Sequence, residues 1–158
     1  MPSRTYLDHA ATTPLVAAAV QAVTAQLLRV GNPSSLHASG RAARRVVEES
    51  REQVAAALGA RPVEVIFTSG GTEADNLAVK GAYGARSGPE RRPRVVISSI
   101  EHHAVLDPAR WLATDRGADL VEVAVTPGGS VDLDRLVESV DRQTSLVSVM
   151  WANNEIGT

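Results

Sequence analysis

Apolar positions along the chain change their period once, and that change orders the reading. Thr13-Pro14 predicts the start of a first helix, with Thr13 as its cap and Pro14 in the first helical position. It runs to about Arg29, where Gly31-Asn32-Pro33 stops it. A second helix is expected over Ser39–Leu58, burying a stripe of Ala43, Val46, Val47, Ser50, Val54, Ala57 and Leu58. Arg44/Glu48 and Arg45/Glu49 are spaced for ion pairs on its flanks, and Gly59 is placed to end it. Short apolar runs then alternate with helical stretches. Strands are predicted over 64–68, 94–99, 120–125 and 146–151, with helices over 72–83, 107–115 and 132–140 between them. Pro108 falls in the first turn of the middle helix, and residues 84–94 read as a Gly-, Pro- and Arg-rich loop. Strands alternating with helices predict an α/β chain with a parallel sheet and right-handed crossovers.

Composition narrows the function. The chain has 158 residues, 44% hydrophobic and 22% charged, enough for a core and unlike a disordered segment. A net charge of −2 with 3% aromatic residues gives neither the basic footprint nor the stacking platforms of nucleic-acid binding. No apolar run approaches the ~20 residues of a membrane span. The start, MPSRTYLDHAATTP, lacks the apolar core of a secretory signal, so the cytoplasm is the expected location. Cysteine is absent, which removes thiolate chemistry from this chain, and Lys80 is the single lysine.

Ligands of parallel sheets collect at the carboxyl ends of strands. Gly70-Gly71-Thr72-Glu73 follows the first predicted strand. Its glycines, the unpaired N–H groups of a helix start and the Thr72 hydroxyl suit a phosphate, and they equally suit a plain capped turn. Glu101-His102-His103 follows the second. Such histidines can stack on a planar ligand, move protons or simply decorate a loop; neighbouring side chains diverge, which argues against a shared metal. Ala152-Asn153-Asn154-Glu155 follows the fourth strand and offers amides to a ligand oxygen or to a turn.

The segments YLDHAATTP, GNPSSLHASGRAA, VIFTSGGTEADNLAVKG, ISSIEHHAVLDP and VSVMWANNEIG occur in this order. Together they closely resemble the cysteine desulfurases, in the class V branch of the fold-type-I enzymes that use pyridoxal 5′-phosphate (PLP). The resemblance runs from about Tyr6 to Thr158. It implies the amino-terminal part of the fold-type-I large domain, with the rest of that domain and a small domain outside residues 1–158. It implies that Gly71 and Thr72 bind the cofactor phosphate, that His102 stacks on the ring and takes part in proton transfer, and that Asn154 meets the phenolic oxygen. Ala11, Thr12 and Asn32 carry over to the substrate side.

The activity so implied takes sulfur from L-cysteine, leaves L-alanine, and passes the sulfur through an enzyme persulfide to an acceptor protein, usually in a homodimer. The family's Schiff-base lysine, the aspartate facing the pyridine nitrogen, the substrate arginine and the catalytic cysteine belong to later segments, so residues 1–158 alone are expected to be inactive. Lys80 matches a non-catalytic position. In the resembled fold, later strands separate the first strand from the other three, so this stretch alone is expected to leave an apolar edge open and to associate. Other expectations kept open are selenocysteine lyase, an aminotransferase, a non-catalytic module, and one half of a split enzyme.

Overall fold

The computed structural model describes residues 5–86 and 91–158. Residues 87–90 of the predicted 84–94 loop lie outside them. Contacts group the chain into two units, Met1–Phe67 and Thr68–Thr158.

In the first unit, α1 spans Ala17–Leu27 and α2 spans Ala38–Leu58. The α1 start corrects the sequence expectation. Its cap is Val16, without a side-chain bond, while the Thr13 hydroxyl lies 3.3 Å from His9 Nδ1. α1 is AAAVQAVTAQL and has no buried residue. α2 begins on a cap that the sequence reading did not identify, His37, whose Nδ1 accepts the Gly40 N–H. It ends at Gly59 as expected, because φ +65° there is a left-handed conformation that favours glycine. Of the expected stripe, Ala43, Val46, Val47 and Ser50 are half-buried, whereas Val54, Ala57 and Leu58 are exposed. Glu48 pairs with Arg51 at 3.1 Å rather than with Arg44, three residues apart on the helix instead of four.

The predicted strand over 64–68 is not formed. Pro62–Glu64 is a single 3-10 turn, and the residues after it join no ladder among the described residues. The Arg51 guanidinium donates to the Val65 carbonyl and lies 4.9 Å from the Phe67 ring. A strand is a pairing, and apolar β-prone residues without a neighbour stay as extended chain. Ile66 is 68% exposed accordingly.

The second unit is a three-stranded parallel sheet in the order β2-β1-β3, with β1 at Arg94–Ser98, β2 at Asp119–Val123 and β3 at Thr144–Ser148. Its helices are α3 (Gly71–Ala85), α4 (His103–Arg116) and α5 (Leu133–Ser139). Strand and helix alternate as the sequence predicts, although β3 starts and ends earlier than expected. Right-handed crossovers from β1 to β2 and from β2 to β3 run in opposite directions across the sheet, which places α4 and α5 on opposite faces. Val79 and Tyr83 of α3 and Val105, Leu106, Ala109 and Leu112 of α4 pack with Val95 and Ile97 of β1. Each of the valine, leucine and isoleucine side chains contributes roughly 1.5–3 kcal/mol by leaving water. At the amino ends of the strands, Arg94 reaches Asp119 at 2.8 Å and Asp141 at 2.9 Å, pinning both neighbours of β1.

α4 differs most from its prediction. It starts at His103, so Pro108 lies inside the helix instead of in its first turn. Proline deprives the carbonyl four residues earlier of its partner. That carbonyl belongs to Ala104, and the Asn76 amide of α3 donates to it in a long bond of 3.5 Å.

Two glycines test the packing. A Cβ on Gly40 would sit 2.3 Å from the Ser35 carbonyl oxygen, whereas one on Gly81 of α3 meets nothing within 4 Å. Gly40→Ala is expected to destabilise the first unit by about 1–3 kcal/mol through forced backbone shifts. Gly81→Ala is expected to stabilise by roughly 0.5–1 kcal/mol through helix propensity. Denaturant unfolding of the two variants checks the opposite signs.

Candidate functional site

Three loops meet the carboxyl side of the second unit, and each carries a residue singled out from sequence. The first is the start of α3. Ala74 N–H makes the first helical bond, to the Gly70 carbonyl, so the N–H groups of Gly71, Thr72 and Glu73 precede the ladder. No atom lies within 4 Å of the space a Cβ would fill on Gly70 or Gly71. A ligand can approach this backbone closely. Glu73 folds back, its carboxylate accepting the Ser69 N–H at 2.6 Å, and the Ser69 side chain together with that N–H holds its carboxyl below the ordinary range. The Thr72 side chain is exposed.

The second loop starts α4. His102 is the cap of the helix: its Nδ1 accepts the Ala104 N–H at 3.0 Å. This bond assigns the ring proton of the neutral form to Nε2 and leaves the exposed ring face open. His103 diverges from it and pairs with Asp107 at 3.3 Å. Thr72 and His102 line the same groove, a cleft of about 350 Å³ between α3 and α4. Asn76 ties the two starts together, donating to the Thr72 carbonyl at 3.0 Å as well as to Ala104. Sequence reasoning missed Asn76; the signal was Pro108, whose helix requires an outside donor.

Lys80 and Trp111 also line this groove, the Lys80 Nζ 4.9 Å from the Trp111 ring and Arg116 5.3 Å from the same ring. Cation–aromatic contact accounts for the single lysine.

The third loop follows β3. Asn154 is exposed and donates one amide hydrogen to Glu155 at 2.9 Å, leaving a second for a ligand oxygen. Trp151 stands three residues earlier and is fully exposed. Asn153 is buried. Its side-chain oxygen accepts the N–H groups of Glu155 and Ile156, and its amide donates to the Ile100 carbonyl at 2.9 Å. The sequence left the 152–155 amides open between a ligand and a turn, and Asn153 serves the turn.

In the first unit, Thr12 lies in an exposed turn where the Tyr6 hydroxyl donates to the Asp8 and Thr12 carbonyls. Ala11 is exposed beside it. Asn32 accepts the Ser34 N–H at 2.9 Å, an Asx turn that shapes the 31–35 loop.

The donors suit a phosphorylated planar cofactor. Free N–H groups and a hydroxyl stand at a helix start, an open imidazole face borders the same groove, and an amide hydrogen stands on the third loop. The residues present fit PLP.

Among the described residues of this unit Glu101 is the one buried carboxylate, at 6% exposure. Burial pushes its carboxyl above the ordinary range; the bonds from Met150 and Ser148 pull it back, and the Asp75 charge raises it further. Folding therefore tightens this carboxyl's hold on a proton relative to the unfolded chain. Stability from this group is complete below the ordinary carboxylate range and is lost as pH rises through the raised value. Glu101→Gln is expected to remove that downward slope, read as the difference between wild-type and variant unfolding free energies from mild acid to neutrality.

The aminotransferase class V family model matches residues 5–158. The chain is 55% identical over 156 residues to the IscS-like cysteine desulfurase of Mycobacterium tuberculosis, covering 97% of this chain and 40% of that protein. It is 45% identical over 159 residues to the cysteine desulfurase IscS of Dictyoglomus turgidum, covering 100% of this chain and again 40% of the relative. Among solved structures, a NifS-like protein superposes with a TM-score of 0.90 at 36% identity, covering 99% of this chain and 42% of that one. DndA from Streptomyces lividans gives a TM-score of 0.73 at 40% identity, over 96% and 42% of the two chains. The chain thus spans about 40% of the length of the curated relatives it matches. Its parallel α/β arrangement is the one the motifs imply for the fold-type-I large domain, and the chain belongs to the class V aminotransferase family.

Proposed function

We propose that this chain supplies the phosphate-anchoring and ring-facing residues of a PLP site in a cysteine desulfurase. The observation that carries the reading is the shared groove. Thr72 and His102 line it together, from two helix starts that Asn76 joins. Names of relatives support the activity, and one similar solved structure, at 30% identity and a TM-score of 0.86, is described as SspA in complex with cysteine.

Bound here, PLP supplies an electron sink for proton movements next to the substrate amine. This chain's own residues do the holding. The N–H groups of Gly71 and Thr72, the Thr72 hydroxyl and the positive end of α3 attract the phosphate. Glu73 is turned back onto Ser69, whose side chain and N–H take up its charge. His102 would offer its exposed ring face to the pyridine ring, and with Nδ1 committed to the α4 cap its Nε2 is the atom available to a moving proton. Asn154 would give its second amide hydrogen to the phenolic oxygen. On the same reading Ala11, Thr12 and Asn32 border the substrate. L-cysteine is the substrate, the sulfur goes to an acceptor protein, and the enzyme works as a homodimer in the cytoplasm. The lysine that bonds the cofactor and the cysteine that takes the sulfur come from segments other than residues 1–158, which contain no cysteine.

Titrating the protein with PLP and following the cofactor's absorbance tests the anchor. Saturable binding is expected, weakened roughly tenfold by Thr72→Ala, as loss of a bond to a charged group predicts. Thr72→Ser is expected to restore it. Binding that ignores both substitutions overturns the phosphate assignment, and no binding at all overturns the reading.

A further inference from the structure

Glu101 and Asn153 exchange places across the sheet end. Glu101 leaves the β1 loop, and its Oε1 accepts the Met150 N–H at 2.5 Å while Oε2 accepts the Ser148 hydroxyl at 3.4 Å. Asn153 leaves the β3 loop, and its amide donates back to the Ile100 carbonyl at 2.9 Å and to the Met150 sulfur at 3.3 Å. The Asn153 backbone is used as fully, its N–H bonding the Thr158 carbonyl at 2.8 Å and its carbonyl accepting the Gly157 N–H at 2.9 Å. Glu101 is 6% and Asn153 8% exposed, and no buried side-chain polar atom among the described residues lacks a partner.

A buried carboxylate is a poor way to gain stability, since apolar residues of similar size do as well or better. Its use here points to position. His102 follows Glu101 in sequence, and Asn154 follows Asn153. The two braces thus end one residue short of the two groups that the reading above places on the cofactor ring. Neither brace can leave without stranding a buried polar partner on the opposite loop.

We propose that Glu101 and Asn153 are positioning residues that join the loops after β1 and β3 into one element, so that His102 and Asn154 are set together. Their place on the cofactor rests on the proposed function; the joining of the loops does not. The loops then move as a pair. A change at Asn153 reaches His102, 51 positions earlier in the chain, and a change at Glu101 reaches the amides of Glu155 and Ile156.

The test has two arms. Without PLP, Glu101→Ala is expected to speed amide exchange at Glu155 and Ile156 by roughly tenfold or more, the equivalent of losing a hydrogen bond to a charged group. Asn153→Ala is expected to shift the His102 ring resonances, and Glu101→Gln, which keeps an acceptor for Met150, is expected to restore most of the protection. Leu112→Ala, a core change of comparable or greater cost, serves as the control for general loosening. Equal effects from Leu112→Ala, or silence at the distant loop in both brace variants, overturn the inference. With PLP bound, Glu101→Ala is expected to move the cofactor's absorption maximum, while Glu101→Gln and Leu112→Ala leave it in place. A wild-type protein that binds no PLP defeats the functional reading while the exchange arm still decides whether the loops are joined.

Discussion

The second unit depends on the burial of one strand. β1 has a partner strand on each side, and Val95, Val96, Ile97 and Ser98 have no accessible surface. A strand buried on both faces has to pass every backbone group to its neighbours and every side chain to a helix or loop. Its register is therefore fixed from both sides, with Val96 opposite Val121 and Val147. Whatever follows β1 inherits that precision. Glu101 and His102 follow it by three and four residues, which is why a loop residue such as His102 stands in a defined place.

Both histidines that start long helices do so as caps. His37 opens α2 and His102 opens α4, each through Nδ1. Imidazole is an uncommon choice beside serine, threonine, asparagine and aspartate. At α4 it lets one ring serve two ends, with Nδ1 fixing the helix and the ring face and Nε2 remaining exposed. At α2 the same device serves packing alone, since the neighbouring Gly40 is pressed against the Ser35 carbonyl.

Much of this arrangement is legible in the sequence, for local reasons. Gly59 ends α2 in a left-handed conformation, and the apolar runs of β1, β2 and β3 are bounded by turn residues. What the sequence conceals is cooperation. Val65 to Thr68 has the composition of a strand, but composition supplies no partner. Thr13-Pro14 has the chemistry of a helix start, but the hydroxyl faces His9 and the helix begins later. Asn76 resembles any polar residue on an exposed helix turn until Pro108 is seen to orphan the carbonyl beside it. Thr72, His102 and Asn154 were readable as residues; the side chains that hold them in place, Asn76, Glu101 and Asn153, acquire meaning only from what they touch. Supporting residues leave weak sequence signals because their partners lie tens of positions away.

The two tryptophans occupy opposite surroundings. Trp111 lies against Lys80 and Arg116 in the α3–α4 groove, whereas Trp151 is fully in water at the end of β3, three residues from Asn154. An indole reports the wetness of its surroundings through the colour of its emission. Anything that settles over the loop after β3 dries Trp151 and moves its light toward the blue. The chain thus carries its own optical gauge of whatever covers the end of β3, legible without a label.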